Sequence, residues 1–464
     1  MLSRVRLRNF KAWADTGDIC LAPLTIFFGA NSSGKSSINQ FLLMLRQTSE
    51  SPDRQRVFHT GDKKSAVDLG RYPDMVHCHA TDATIGFELE WLLPSEMRLI
   101  DVLSDTAFSG ACVSFGADVG LQEGRQDPTV RRMVYRLGDP SSTGLAIGME
   151  RQEGANGKYE LTSVRFEPKR NPGKPWALAS PTRFYGFPDE VAAKYQNVSI
   201  AGDLTLELER QLQRIHYLGP LREYPQRQYT WAGERPEHVG WRGERVIDAI
   251  LAARDRRINP GRKKRRDRFE VVIARWLKEM GLIENFEVRP IAEGRRDFEV
   301  LVKSTGVTTS ANLTDVGFGV SQVLPVLVEC FYANHGSTII MEQPEIHLHP
   351  SVQASLADLF IEAVHAWEDG RARGIQLLIE SHSEHFLRRL QRRIAEGGEG
   401  GIDRDSVAIY VCRSTPSGST IEPLDVDLNG NITNWPDNFF GDEVEDLRAM
   451  TEAAARRQAA GQQP

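Results

Sequence analysis

Two short stretches carry residue types that could do chemistry together. The first is Gly29-Ala30-Asn31-Ser32-Ser33-Gly34-Lys35-Ser36-Ser37, whose G-x-x-x-x-G-K-[ST] spacing is that of a phosphate-binding loop. Glycines at both ends let the backbone turn where a side chain would block it. The loop N–H groups of Asn31, Ser32, Ser33 and Gly34, with those of Ser36 and Ser37, can then converge on phosphate oxygens at a helix N-terminus. Lys35 adds a point charge, and the Ser36 hydroxyl can ligate Mg²⁺. The second stretch is Glu342-Gln343-Pro344-Glu345, directly after the apolar run Ser337–Met341. A carboxylate at Glu342, at the end of a strand neighbouring the loop strand, would complete the magnesium site begun by Ser36.

The surrounding elements suit these roles. Leu24–Phe28 reads as a buried strand, and Ile38, Phe41, Leu42 and Leu45 share one face of the helix after the loop. Residues 3–8 alternate arginine with apolar residues, as a half-buried strand does. Ala83–Trp91 alternates as well, and Met133–Leu137 and Tyr159–Phe166 are further strand candidates. Leu204, Leu208, Leu212 and Ile215 form a helical stripe, which His216–Arg222 is expected to end in a turn. Phe269, Val272, Ile273, Trp276, Leu277 and Met280 form another stripe. From about 311 onward, strands Ser337–Met341, Ile375–Glu380 and Ser406–Val411 alternate with apolar-striped helices, which predicts a parallel sheet. The 464 residues, 40% of them hydrophobic, suffice for two or three domains with a sizeable core. A formal net charge of −6 excludes a generally basic nucleic-acid binder, so any such contact is local. Five scattered cysteines without C-x-x-C spacing fit neither a zinc ribbon nor a disulfide scaffold. With no signal-like start and no long apolar run, they lead us to expect a soluble cytoplasmic protein away from membranes.

Together with Asn9-Phe10-Lys11, Glu380-Ser381-His382-Ser383 and Asn434-Trp435-Pro436-Asp437-Asn438-Phe439-Phe440, the two stretches resemble the ABC/SMC-type AAA ATPases, and within them the RecF-like and OLD-like families of bacteria. The resemblance covers roughly residues 1–90 and 310–445, and the middle resembles the family only in patches such as Tyr217–Arg222. It implies an α/β, ABC-type P-loop ATPase head: an N-terminal β-rich lobe plus a parallel-sheet core, with an inserted α+β middle region. The expected divisions are 1–98 with the loop, 99–310 as the insertion, 311–445 as the rest of the head, and 446–464 as a terminal helix or frayed tail. ATP and Mg²⁺ are the implied cofactors. Two heads of such ATPases sandwich the nucleotide, so a homodimer or higher homo-oligomer is implied. The matching capping segment runs through Gly317, Gly319 and Ser321. The family's serine falls on Gly317, and Ser321 is the candidate hydroxyl in its place. His382 matches the switch histidine. Gln343 occupies the place of the usual catalytic glutamate; an amide can orient water but not accept its proton, which leaves Glu345 as the candidate base and implies slow hydrolysis. Lys11 and Trp13 either border the nucleotide or serve as a strand-edge cation and a core tryptophan. A zinc site at His347, His349 and His385 is disfavoured, since no cysteine joins them.

Two functions remain open on the residues. One is an ATPase that controls a separately encoded effector, a nuclease or toxin from the same operon, resembling the ATPase subunits of the Septu and PARIS anti-phage systems. The other is a RecF-like repair or recombination ATPase acting directly on DNA; a transporter ATPase fits poorly. Asp425 and Asp427 are similar to the paired acids of a Toprim nuclease but lack its context, so a nuclease in this chain is not expected. For DNA, residues 254–268 hold nine Lys/Arg against two acids, including Arg262, Lys263, Lys264, Arg265 and Arg266; a solvated loop is the equal alternative. Arg222, Arg227 and Arg235 with Tyr224, Tyr229 and Trp231 could extend such a face or a partner contact.

Overall fold

The computed structural model describes residues 1–122, 127–138, 144–152, 157–173, 177–261, 265–436, 439 and 443–459. The chain starts with β1 (Leu2–Phe10), β2 (Trp13–Asp15) and β3 (Ile19–Cys20), then β4 (Leu24–Gly29) and helix α1 (Lys35–Glu50). In β1 the apolar side chains Leu2, Val5, Leu7 and Phe10 are buried. Its arginines meet acids on the other face: Arg6 pairs with Asp15 at 2.7 Å and Arg4 with Asp18 at 2.8 Å. Five longer strands follow: β5 (Ile85–Ile100), β6 (Ala107–Leu121), β7 (Pro128–Gly138), β8 (Leu145–Arg151) and β9 (Tyr159–Val164). They extend the first sheet in the order β2-β1-β5-β6-β7-β8-β9, with β3 also on β1. The expected division at 98/99 therefore falls inside β5. One half of that strand pairs with β1 from Gly86 to Trp91, and β6 pairs with β5 on to Ile100, so the N-terminal segment and the start of the middle region share one sheet.

Helix α2 (Ser199–Gln213) buries Leu204, Leu208 and Leu212 as its stripe requires. It does not end in the expected turn. Residues Ile215–Leu218 form β10, a parallel strand whose four side chains are all buried. A short run buried on both faces loses the alternation that marks a strand in sequence, which is why it reads as a helix end. Then come α3 (Phe269–Glu279), the hairpin β11 (Asn285–Pro290) and β12 (Asp297–Lys303), and α4 (Phe318–Tyr332). The alternating part consists of β13 (Thr338–Glu342), α5 (Pro350–His365), β14 (Gln376–Glu380), α6 (Glu384–Glu396), β15 (Val407–Thr415) and β16 (Gly418–Pro423).

The core sheet has the order β10-β13-β14-β4-β15-β16, parallel throughout except for the last strand. Leu24, Ile26, Phe28, Ile339, Met341, Leu377 and Ile379 pack on the layer of helices α3–α6. Phe27, Ile340, Leu378 and Tyr410 face α1, α2 and the first sheet. Gln376 joins the two sheets from a fully buried position: its amide nitrogen donates to the Leu2 carbonyl at 2.8 Å, and its amide oxygen accepts from Leu2 N at 3.1 Å. The order also corrects one expectation. β13, which carries Glu342, does not adjoin the loop strand; β14 lies between them.

Candidate nucleotide site

The loop after β4 sits at the carboxyl ends of the parallel strands, where open α/β sheets place their ligands. Gly29 has φ +146°, and a Cβ there would press on the Cys412 carbonyl. Gly34 has φ +91°, and a Cβ would lie 2.9 Å from Ser419 Oγ and 3.0 Å from the Trp13 ring. The indole N–H of Trp13, fully buried, donates to the Gly34 carbonyl at 3.0 Å. Trp13 is thus a core residue that fixes the loop from behind, while Lys11 donates to Gln40 Oε1 at 2.6 Å. Helix α1 begins at Lys35 with no side-chain cap and no acid in its first turn, so no side chain competes for its N-terminal end, although Ser37 N already donates to the Gly34 carbonyl at 3.1 Å. Asn31 and Ser32 form an exposed lip; Ser33 and Ser37 are buried. Lys35, itself buried, folds back to donate to the carbonyls of Gly29 (2.9 Å) and Ala30 (2.8 Å), and burial lowers its pKa.

One acid meets the loop and two more stand near it. Glu380, at the end of β14, accepts from the Ser36 hydroxyl at 3.0 Å and lies 3.9 Å from Lys35 Nζ. Glu342 is its register partner on β13. The acid against Ser36 is therefore Glu380, with Glu342 one strand further out, because β14 separates β13 from β4. Burial, reinforced by the charge of Glu380, pushes the Glu342 carboxyl up to about 7, against the opposing pull of Tyr217 and Arg222. Burial also raises Glu380, opposed by Lys35 and the Ser36 hydroxyl. Glu345 is held by one oxygen: Oε1 accepts from His382 N at 2.6 Å and from Ser381 Oγ at 2.9 Å. Its other oxygen has no partner among the described residues, and burial raises its pKa despite those bonds. Gln343 has a backbone φ of +45° and donates from its N–H to the Glu380 carbonyl at 2.8 Å, a strained corner that turns the chain at the site. Burial, then Lys35, lowers the pKa of the His382 imidazole.

The residues around the loop leave an uncommon number of buried polar atoms without partners among the described residues: Ser33 Oγ, Glu342 Oε1, Glu345 Oε2, Glu380 Oε2, His382 Nε2 and all three guanidinium nitrogens of Arg222. Native proteins satisfy most such atoms, and a cluster of exceptions marks a place where something else binds. Phosphate oxygens suit the N–H groups, Lys35 and Arg222, and a divalent cation suits Ser36 with the carboxylates of Glu342 and Glu380. The donor set therefore fits ATP with Mg²⁺. In sequence Glu380 stands out only as part of a motif, and Arg222 only as the end of the patch Tyr217–Arg222 and as part of a possible binding face. Strand-end position could have flagged the first; nothing in sequence marks the burial of the second, which corrects its reading as part of an exposed face.

The capping segment opens α4. Gly317 is exposed, Phe318 is 45% exposed, and Gly319 is partly so. Ser321 is turned inward: its hydroxyl donates to the Phe318 carbonyl at 2.8 Å. Within one protomer it offers nothing outward, so the expectation that it supplies the outward hydroxyl does not match its orientation. The inward residues Val323, Leu324, Leu327 and Val328 are buried as expected. His349 caps α5 by accepting from Ser351 N, and the His347 ring packs edge-on to Phe318. Arg227 forms an ion pair with Asp315 at 2.6 Å. In the basic run, Arg262, Lys263 and Lys264 lie outside the described residues; Arg265 and Arg266 are exposed.

Residues 255–387 match the family model of an AAA ATPase domain, and residues 402–450 match a family described as a protein of unknown function (DUF3696). No curated protein matches the chain. Among solved structures it is similar to the SMC head domain from Thermotoga maritima, with 11% identity over 92% of this chain and 99% of that one, at a TM-score of 0.41. It is also similar to an SmcHead bound to the C-winged helix domain of ScpA, with 11% identity over 91% and 98% of the chains and a TM-score of 0.42. Likenesses of this size carry no weight by themselves. The phosphate loop and the strand order define the class by fold, an α/β head with a P-loop on a mainly parallel sheet, and part of that head, residues 255–387, matches an AAA ATPase domain. Among the described residues no helix is long and apolar enough to cross a membrane.

Proposed function

We propose that this chain binds ATP and Mg²⁺ in the loop Asn31–Ser37, hydrolyses the nucleotide slowly, and pairs with a second copy through the face that carries Gly317, Phe318 and Gly319. The cluster of unpartnered buried atoms around Lys35 is the observation that carries this reading. Ser36, Glu342 and Glu380 would hold the magnesium, which neutralises phosphate charge when bound. Glu345, anchored at one oxygen and open at the other, accepts the proton of the attacking water; Gln343 and His382 orient that water and the terminal phosphate. Phe318 and Tyr224, whose rings lie 5.6 Å apart, leave apolar surface beside the capping segment for a partner copy to cover.

The raised pKa of Glu342 makes the metal assignment testable. Because its folded value of about 7 lies above the ordinary 4.5, the nucleotide-free fold loses stability as pH rises between those values. Magnesium takes the ionised form and expels the proton. Magnesium-dependent nucleotide affinity should therefore rise by up to ~10-fold per pH unit below neutrality. Calorimetry in buffers of differing ionisation enthalpy would read the released proton, and Glu342→Gln should diminish both the release and the magnesium dependence, leaving the share that Glu380 and Ser36 carry. An unchanged magnesium dependence in that variant would remove Glu342 from the metal site.

The biological role we infer is control of a separately encoded effector, a nuclease or toxin, in anti-phage defence; the resemblance of the motifs supports it. Co-purification from the native operon with and without ATP tests it, and a replication or recombination locus around the gene would instead favour the RecF-like alternative. Direct DNA binding predicts that neutralising residues 262–266 lowers the slope of binding against salt by roughly one for each phosphate no longer neutralised. An unchanged slope would dismiss that patch.

A further inference from the structure

We propose that Arg222 is the residue by which this site tells ATP from ADP, its guanidinium contacting the terminal phosphate within the same protomer. This rests on the loop being a nucleotide site, and goes beyond it by assigning a ligand group that no sequence motif assigns. Arg222 follows β10 on a loop pinned at both ends: Gly219 N donates to the Trp241 carbonyl and Glu223 N to the Arg242 carbonyl, each at 2.8 Å. The pinned loop carries the side chain to the carboxyl ends of the strands, beside Tyr217, Glu342 and Glu345.

The side chain is only 8% exposed, yet Nε, Nη1 and Nη2 all lack a hydrogen-bond partner among the described residues. Burying a guanidinium with its donors unmet is costly, and an arginine fork is the group that matches phosphate geometry. The carboxylates nearby are close enough for their charges to be felt, but Glu342 Oε1 and Glu345 Oε2 are themselves unpartnered. Among the described residues no hydrogen bond joins Arg222 to either acid, so both signs keep bonding capacity unspent side by side. A ligand that meets both must offer acceptors to the arginine and a cation to the acids. A phosphate carrying a bound metal ion does both. Lys35 belongs to the loop after β4, whereas Arg222 follows β10 and stands with Glu342 and Glu345 beyond β14, which suits a contact to the far end of a triphosphate seated in the loop. Burial lowers the guanidinium to about 10, so it remains charged at neutral pH.

The test is calorimetric titration of the full chain with a non-hydrolysable ATP analogue and with ADP, both with magnesium. Wild-type protein should bind the triphosphate more tightly. Arg222→Gln should cut that preference by roughly 10- to 100-fold while leaving ADP affinity unchanged. Arg222→Lys, which keeps the charge but not the fork, should fall between. The melting temperature without nucleotide should not drop in either variant, because no hydrogen bond within the protein is removed; the shift induced by the triphosphate should shrink, and that induced by ADP should persist. A preference equal to wild type in Arg222→Gln overturns the assignment, as does a parallel loss of both affinities with a lowered melting temperature, which would make Arg222 structural. Wild-type protein that binds neither nucleotide removes the underlying site as well, and is thereby distinguished from failure of Arg222 alone.

Discussion

Replacing Lys35 with alanine should weaken ATP binding by roughly 30- to 5,000-fold, the range expected when one partner of a buried charged contact is truncated, about 2–5 kcal/mol. The size follows from the setting. Lys35 is 3% exposed and in the nucleotide-free fold is held by two backbone carbonyls of its own loop, so its charge is already positioned and largely desolvated. Phosphate oxygens would meet a preorganised donor, and alanine would leave the carbonyls of Gly29 and Ala30 and the carboxylate of Glu380 without their cation. Calorimetry with ATP and magnesium reads the weakening directly. Wild-type affinity in Lys35→Ala would mean that the loop does not bind phosphate, and the functional proposal would fall with it.

The second large effect should come from Glu345→Gln. Acting as general base, this carboxylate would contribute roughly 100- to 10,000-fold to turnover, and the amide should lose that while keeping ATP affinity near wild type. Two features of the site favour Glu345 over its neighbour. Its Oε1 is fixed by His382 N and Ser381 Oγ, leaving Oε2 buried without a partner among the described residues. Its pKa is raised by burial, which makes it a stronger base than an exposed carboxylate once ionised. Gln343 has no proton-accepting group at any pH. Single-turnover assays separate the chemical step from binding. Undiminished turnover in Glu345→Gln would exclude it as the base and leave Gln343 orienting a water whose proton leaves by another route.

Some of this was legible from residue types alone, because it depends on near neighbours in the chain. The loop after β4 has fixed spacing, and an apolar strand before it and an amphipathic helix after it are local patterns; β4 and α1 follow them within a residue or two. The alternation of β13, α5, β14, α6 and β15 likewise announced a parallel sheet. The inward stripe of α4 was readable for the same reason, though the direction of the Ser321 hydroxyl, a matter of one rotamer, was not.

Residue order by itself therefore determined most of the pieces, though not the strand Ile215–Leu218, and where the phosphate loop forms, since helical and strand periodicities are set by the backbone of each segment. Tertiary structure alone decided which pieces are neighbours. It placed β14 between β13 and β4, so that Glu380 rather than Glu342 meets Ser36, and it made a strand of Ile215–Leu218 that brings Arg222, buried, beside Glu342 and Glu345. The reason is physical. Strand pairing across more than a hundred residues is chosen by the combined packing of both sheet faces, and no short stretch of the chain contains that information.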